Sequence, residues 1–186
     1  MCKEDISQVT EIDQEAFPTM WPPANYEREL KTRLAHYIVA HQGSTTAKGG
    51  EAAVTQKQSP TSIAGFAGFW MMADEAHITN IAVRKSCRRQ GIGELLLVSM
   101  IDLILELNAH LVTLEVRASN IAAQGLYHKY GFSQLHVRPG YYTDNKENAL
   151  VLAAKDITSV AFQRRFNRLK KAHARRWGIA FYHTAR

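Results

Sequence analysis

Between the apolar run from His77 to Val83 and the leucine-rich run that begins at Ile92, the chain reads RKSCRRQGIG, residues 84–93. Two arginines followed by Gly-x-Gly at a strand-to-helix junction suit an anion. The amides that open a helix are donors without partners at the positive end of its dipole, and a residue without a side chain lets a phosphate reach them. The same stretch would also make a tight turn beside a solvated basic hinge, and Gly-x-Gly alone does not separate the two readings. Two phosphate loops of known pattern do not fit. A dinucleotide fingerprint needs a third glycine three residues on and an acid ~20 residues later, whereas Gly93 is followed by Glu94-Leu95-Leu96. A Walker loop needs Gly-Lys-Ser/Thr, which the chain lacks. The eight histidines include no HExxH or similar spacing, so no metal site is predicted. Cys2 and Cys87 are too few for a disulfide framework, and Cys87 reads as a reduced thiol.

The elements that must position such a loop are legible from periodicity. Residues 4–16 read as a helix with Ile6, Val9, Ile12 and Ala16 on one face, which FPTMWPP then breaks. A second helix is expected from about Asn25 to Leu34. AHYIVAHQ reads as a strand. Residues 43–60 are rich in Gly, Ser, Thr and Lys without a period, and read as a flexible insertion. IAGFAGFWMMA and AHITNIAV are the next strands. GELLLVSMIDLILELN is a helix with Leu96, Met100, Leu103 and Leu107 on one face. In HLVTLEVRAS, Val112, Leu114 and Val116 point one way and Thr113, Glu115 and Arg117 the other. NIAAQGLYHKYG is a helix closed by Gly131, and two strands around TDNKEN complete one mixed α/β unit.

A chain of 186 residues, 46% hydrophobic, suits a single core. No apolar run reaches the ~20 residues of a membrane span. The opening MCKEDISQVTEID is polar and acidic, unlike a secretory signal, so a cytoplasmic protein is expected. Residues 155–186 hold nine Lys or Arg against Asp156 alone; this segment is +8, and the rest of a chain of net charge +6 is therefore −2. Within it Phe162, Phe166, Leu169 and Trp177 fall near one helical face. Two readings stay open: a helix that docks on its own domain, or a basic extension that brings the protein to RNA or another acidic surface. On the second, removing everything after Lys155 leaves catalysis within a few-fold.

RRQGIG resembles the R/Q-x-x-G-x-G/A signature of the GNAT family of N-acetyltransferases. LEVRASNIAAQGLYHKYGF and the Arg-x-x-Tyr-Tyr pattern of RPGYY resemble its ribosomal-protein alanine N-acetyltransferase branch, the RimI type. The resemblance spans residues 1–154, is strongest over 77–152, and is absent from 43–60 and from the basic extension. It implies the GNAT fold, an α/β (α+β) arrangement with a mixed, mostly antiparallel central sheet flanked by helices, here followed by a basic C-terminal helix. It further implies that the amides of Arg88, Arg89, Gln90, Gly91, Ile92 and Gly93 hold the pyrophosphate of acetyl-CoA. Ile81, Ala82 and Val83 would pair a free strand edge with its pantetheine arm. Asn120 fits both a helix N-cap and a cofactor contact.

The same resemblance assigns Glu115 as general base, acting through water, and Tyr127, twelve residues on, as the acid that protonates the thiolate. His77 is expected to be a supporting residue and the next candidate base. Tyr141, Tyr142 and Trp21 would form the walls that hold an acceptor peptide, although FPTMWPP departs from the family's FPxPW spacing. An α-amine (pKa ~7.8) is ~14% neutral at pH 7 against ~0.04% for a lysine, so a modest base suffices for it. The expected activity is acetylation of a protein N-terminus, with a ribosomal protein as the implied partner. A small-molecule amine acetyltransferase and a non-catalytic module binding coenzyme A or RNA are the alternatives.

Overall fold

The computed structural model describes residues 1–18, 25–42 and 62–178; Trp21 and the expected 43–60 insertion lie outside them. The sheet grows from strands that alternate or run apolar. They are β1 (Ala35–His41), β2 (Ile63–Met72), β3 (Glu75–Val83), β4 (Leu111–Arg117), β5 (Ser133–Tyr142) and β6 (Glu147–Lys155). Their order in space is β1-β2-β3-β4-β6-β5, and only β3 and β4 run parallel. Among the described residues five α-helices accompany them: α1 (Ile6–Ala16), α2 (Tyr26–Glu29), α3 (Ile92–Glu106), α4 (Ile121–Lys129) and α5 (Val160–Trp177).

Two cores form, one on each face of the sheet. Val9 and Ile12 of α1 and Tyr26 of α2 pack with Ile63, Phe66 and Ala82. The larger core joins α3 and Tyr127 and Tyr130 of the α4 segment to β1–β4 and β6, with Phe166 of α5 completing it. The two glycines that weaken β2 as a strand earn their place by close approach: a Cβ on Gly68 would meet the Tyr37 ring at 2.3 Å, and one on Gly65 the Ala82 carbonyl oxygen at 2.6 Å.

Two expectations need correction. The second helix is a single turn, because Glu29 is taken by the Tyr37 hydroxyl and the Trp70 indole N–H, and the Leu34 carbonyl already accepts from Met71 at the entry to β1. The buried surface of α3 is also wider than the predicted stripe. Leu97, Ile101 and Ile104 are buried alongside Leu96 and Met100, whereas Leu103 is half-buried and Leu107 is exposed. The helix lies between the sheet and α5, so more than one face of it is covered.

The feature that shapes the site is a parting of two strands. β3 and β4 pair only from Glu75↔Leu111 to Ile78↔Leu114. Thr79 is an extra residue between the pairs Phe69↔Ile78 and Gly68↔Asn80. Such a bulge bends and twists its strand, and at this point β3 leaves β4. From Asn80 onward β3 pairs with β2 alone.

Candidate active site

The loop after β3 is built to leave its amides open. Lys85–Cys87 form a 3-10 turn, Arg88 is extended, and Arg89 takes a positive φ of 64°. Gly91 follows in the left-handed region (φ 78°), which a residue without Cβ adopts at no cost, and serves as the N-cap of α3. α2, α4 and α5 are capped by the side chains of Asn25, Asn120 and Ser159; α1 and α3 have no side-chain cap. The amides of the first turn of α3 therefore keep their donor capacity at the positive end of the dipole. The Arg88 Nε donates to the Val83 carbonyl oxygen at 3.2 Å, and the Gln90 amide to that of Ser86 at 3.3 Å, so both side chains brace the loop. Ile81, Ala82 and Val83 lie on the β3 segment beyond the parting, with Ala82 buried against α1 and the other two half-buried.

Glu115 projects from the opposite lip, on β4 just after its pairing with β3 ends. One carboxylate oxygen lies 3.0 Å from His77 Nε2 and the other 2.9 Å from a guanidinium nitrogen of Arg138, and the side chain is 10% exposed. His77 Nδ1 is 2.9 Å from the Thr113 hydroxyl. With Nε2 donating to the carboxylate, a neutral ring accepts from that hydroxyl, which holds the imidazole in one orientation. Burial pushes the Glu115 carboxyl up, but the His77 hydrogen bond and the charges of His77 and Arg138 outweigh it and hold the group below its ordinary value. His77 thus bridges Thr113 and Glu115. Arg138, in contrast, is a partner that sequence reasoning quoted within RPGYY without giving it a role.

Tyr127 is placed by α4, whose two ends are both closed. Asn120 Oδ1 accepts from the Ala123 amide at 3.2 Å, giving Asn120 the cap role, and Gln124 donates back to the carbonyls of Arg117 and Ala118. At the other end Gly131 (φ 94°) donates to His128 and Phe132 to Tyr127, a Schellman closure. The Tyr127 ring lies against Phe132, and burial pushes its hydroxyl up to about 12. Of the expected acceptor wall, Tyr142 is buried beneath the Arg117 guanidinium, 3.9 Å from its ring centroid. Tyr141 stacks edge-on against it, with Arg138 5.5 Å from its own centroid, and burial together with the Glu115 charge raises its hydroxyl. Thr113, His77, Glu115, Arg138 and Tyr141 thus form one connected set across β3, β4 and β5. Trp21 falls outside the described residues.

An uncapped helix start thus lies behind a parted strand, with a carboxylate on the facing lip. Residues 6–132 match the model of the acetyltransferase (GNAT) family. The chain belongs to that family. It is an N-acetyltransferase, with the family's mixed six-stranded sheet. It is 39% identical over 150 residues to a Bacillus subtilis protein provisionally named a ribosomal protein bS18-alanine N-acetyltransferase, covering 80% of this chain and 88% of that one. The ribosomal protein bS18-alanine N-acetyltransferase of Escherichia coli strain K12 is 36% identical over 151 residues, with 80% and 90% covered. The crystal structure of the ribosomal-protein-S18-alanine N-acetyltransferase from Escherichia coli superimposes with a TM-score of 0.65 at 28% identity, over 84% of this chain and 90% of that one. Among the described residues no helix is long and apolar enough to cross a membrane.

Proposed function

We propose that the protein acetylates the N-terminal amine of a protein acceptor, a ribosomal protein of the bS18 kind, with acetyl-CoA as donor. One observation carries the reading: the likeness to bS18-alanine N-acetyltransferases at 36–39% identity runs through both lips of the cleft and four-fifths of the chain. The site residues fit the donor. The first-turn amides of α3 suit a pyrophosphate, and the open edge of Ile81–Val83 suits an amide-bearing arm that joins the sheet as a strand would. Acetyl-CoA supplies an activated acetyl thioester.

The chain's own groups handle the protons. Glu115, kept ionised, receives through water the proton that the amine loses as its nitrogen bonds to the acetyl carbon. Tyr127, whose high pKa keeps its proton in place at neutral pH, donates to the sulfur as the carbon–sulfur bond breaks. His77 orients Glu115, and Tyr141 and Arg138 line the acceptor side. The outward face of α5 supports a second component, attraction to RNA. Arg164, Arg168, Lys171 and Arg175 are exposed at i, i+4, i+7 and i+11, and the helix carries no acid. Phe162, Phe166 and Leu169 of its apolar face pack on the domain, which leaves too narrow a stripe for a bilayer.

Thiol release from acetyl-CoA, followed with a panel of acceptors, tests the activity. An alanine-initiated peptide should be acetylated in preference to its Nα-blocked, lysine-containing copy and to polyamines; preference for a polyamine would overturn the protein-acceptor reading. Gly93→Asp tests the loop. A Cβ there meets only a Val83 methyl at 3.7 Å, so the added carboxylate acts on the phosphates without straining the backbone. Binding of acetyl-CoA should weaken at least tenfold, ~1.4 kcal/mol.

A further inference from the structure

We propose that α5 is a built-in brace for the anion loop. In this view His173 and Trp177 are positioning residues that hold Gly91 and the first turn of α3 in the shape that receives the phosphates. The inference rests on the reading of that loop as the cofactor cradle, and adds to it an element that lies beyond the family match at residue 132.

The helix is fixed to the domain upstream of the contact. Phe166 is buried in the main core, Lys170 pairs with Asp102 of α3, and Arg165 donates to the carbonyls of His128 and Lys129 that end α4. Two turns beyond Phe166, His173 is 8% exposed, and its Nε2 lies 3.0 Å from the Gly91 carbonyl oxygen. A carbonyl only accepts, so Nε2 is the donor. That oxygen already accepts from the Leu95 amide at 2.9 Å and therefore points along α3 toward its C-terminus. A second donor reaches it from the flank, away from the direction in which the open first-turn amides point. His173 thus grips the loop from behind and leaves the donors exposed.

Trp177 closes the same flank. A Cβ built on Gly91 would lie 2.7–2.8 Å from three atoms of the indole, so the ring rests directly on the glycine whose left-handed turn starts α3. The flank is otherwise open. A cavity of about 410 Å³ adjoins it, lined by His41, Gln42, Cys87 and Gln90 as well as Gly91, His173 and Trp177. A loop released from the helix has room to relax into that space. Holding it in advance removes an ordering cost that the ligand would otherwise meet on binding.

The test uses the full chain, with acetyl-CoA binding measured by calorimetry and turnover measured at saturating acetyl-CoA. His173→Ala should raise the dissociation constant about tenfold, the worth of one buried hydrogen bond at the upper end of its usual range, and leave kcat unchanged. His173→Gln, whose side-chain amide can donate to the same carbonyl, should restore affinity to within about threefold. Trp177→Leu carries the same expectation and serves if His173→Ala does not fold. Wild-type affinity in the His173 and Trp177 variants, with Gly93→Asp impaired, overturns the brace and leaves the cradle standing. So does a fall in kcat at unchanged affinity. Wild-type affinity in Gly93→Asp as well would remove the cradle, and the brace with it.

Discussion

Glu115 sits between the His77 imidazole and the Arg138 guanidinium, which bears on the kind of base we propose it to be. Held ionised below the ordinary glutamate range by His77 and Arg138 despite its burial, it does not titrate near neutrality. The group that does is the acceptor amine, at pKa ~7.8. The wild-type kcat/KM should therefore climb through that value without a further inflection between pH 5 and 7. An inflection there that Glu115→Gln abolishes would show that the carboxyl is not held low. Glu115→Gln should cost about 10²-fold at pH 7, with the gap narrowing toward pH 9, where the amine deprotonates unaided. Tyr127→Phe should cost about as much at every pH, since a hydroxyl at about 12 keeps its proton throughout. The same lowered carboxyl bears on stability. A depressed folded pKa adds stability above the unfolded value and loses it as pH falls through the folded one, so wild type and Glu115→Gln should converge in Tm on acidification.

Among the elements, the β5–β6 hairpin shows what holds the face that carries Tyr141 and Tyr142. Arg117 at the end of β4 reaches both oxygens of Asp144 at 2.8 and 3.0 Å, takes Glu147 at 2.9 Å, and covers Tyr142. Glu147 in turn accepts from the Ser119 amide at 2.7 Å, tying the hairpin to the start of α4. Hydrogen bonds from Ser119 and Arg117 bring the Glu147 carboxyl down to about 2. Arg117→Met should lower Tm at pH 7 by leaving the Glu147 carboxylate without the guanidinium that pairs with it. That deficit should shrink as pH falls toward 2, and a deficit that is constant with pH would mean that lost packing, not charge, is responsible.

Much of this scale is written in local pattern. The alternation of Val112, Leu114 and Val116 against Thr113, Glu115 and Arg117 appears in the structure as buried against half-buried, and Gly131 closes α4 as its position suggests. What local pattern lacks is register. Arg138 meets Glu115 only because Glu115 pairs with Val151 of β6 and Val151 with His136 of β5. Two cross-strand registers must be known at once, and a slip of one residue in either would turn the side chain to the other face. The Thr79 bulge is equally silent in a run that reads as a plain strand. His173 was nearer to view, since it fills the gap between Leu169 and Trp177 in the apolar stripe of α5, but a histidine there reads as polar surface.

Across the whole molecule, α5 lies on α3 and on the end of α4, and so links the helix behind the β1–β3 half of the sheet to the helix beside the β4–β6 half. The expectation that catalysis survives removal of everything after Lys155 gives way to a different one. Such a truncation exposes the core around Tyr130 and Phe132 and should lower both Tm and cofactor affinity. Charge reversal on the outer face separates the proposed brace from the proposed attraction to RNA. Replacing Arg164, Arg168, Lys171 and Arg175 by glutamate should abolish binding to single-stranded RNA while leaving peptide acetylation intact. For the native face, four phosphate contacts give a log–log salt slope of about −3. RNA affinity insensitive to salt, or to these substitutions, would remove the recruitment component.

The order of elements along the chain gives the α3–α5 contact a consequence in time. Synthesis proceeds at about 5–20 residues per second, so Trp177 is added roughly 4–17 s after Gly91, the residue it covers. Throughout that interval the growing chain carries the loop without its brace, even once all six strands have been made. On the proposed brace, a nascent chain would have the residues of the cradle before it has the affinity, and tight cofactor capture would be deferred until α5 has docked.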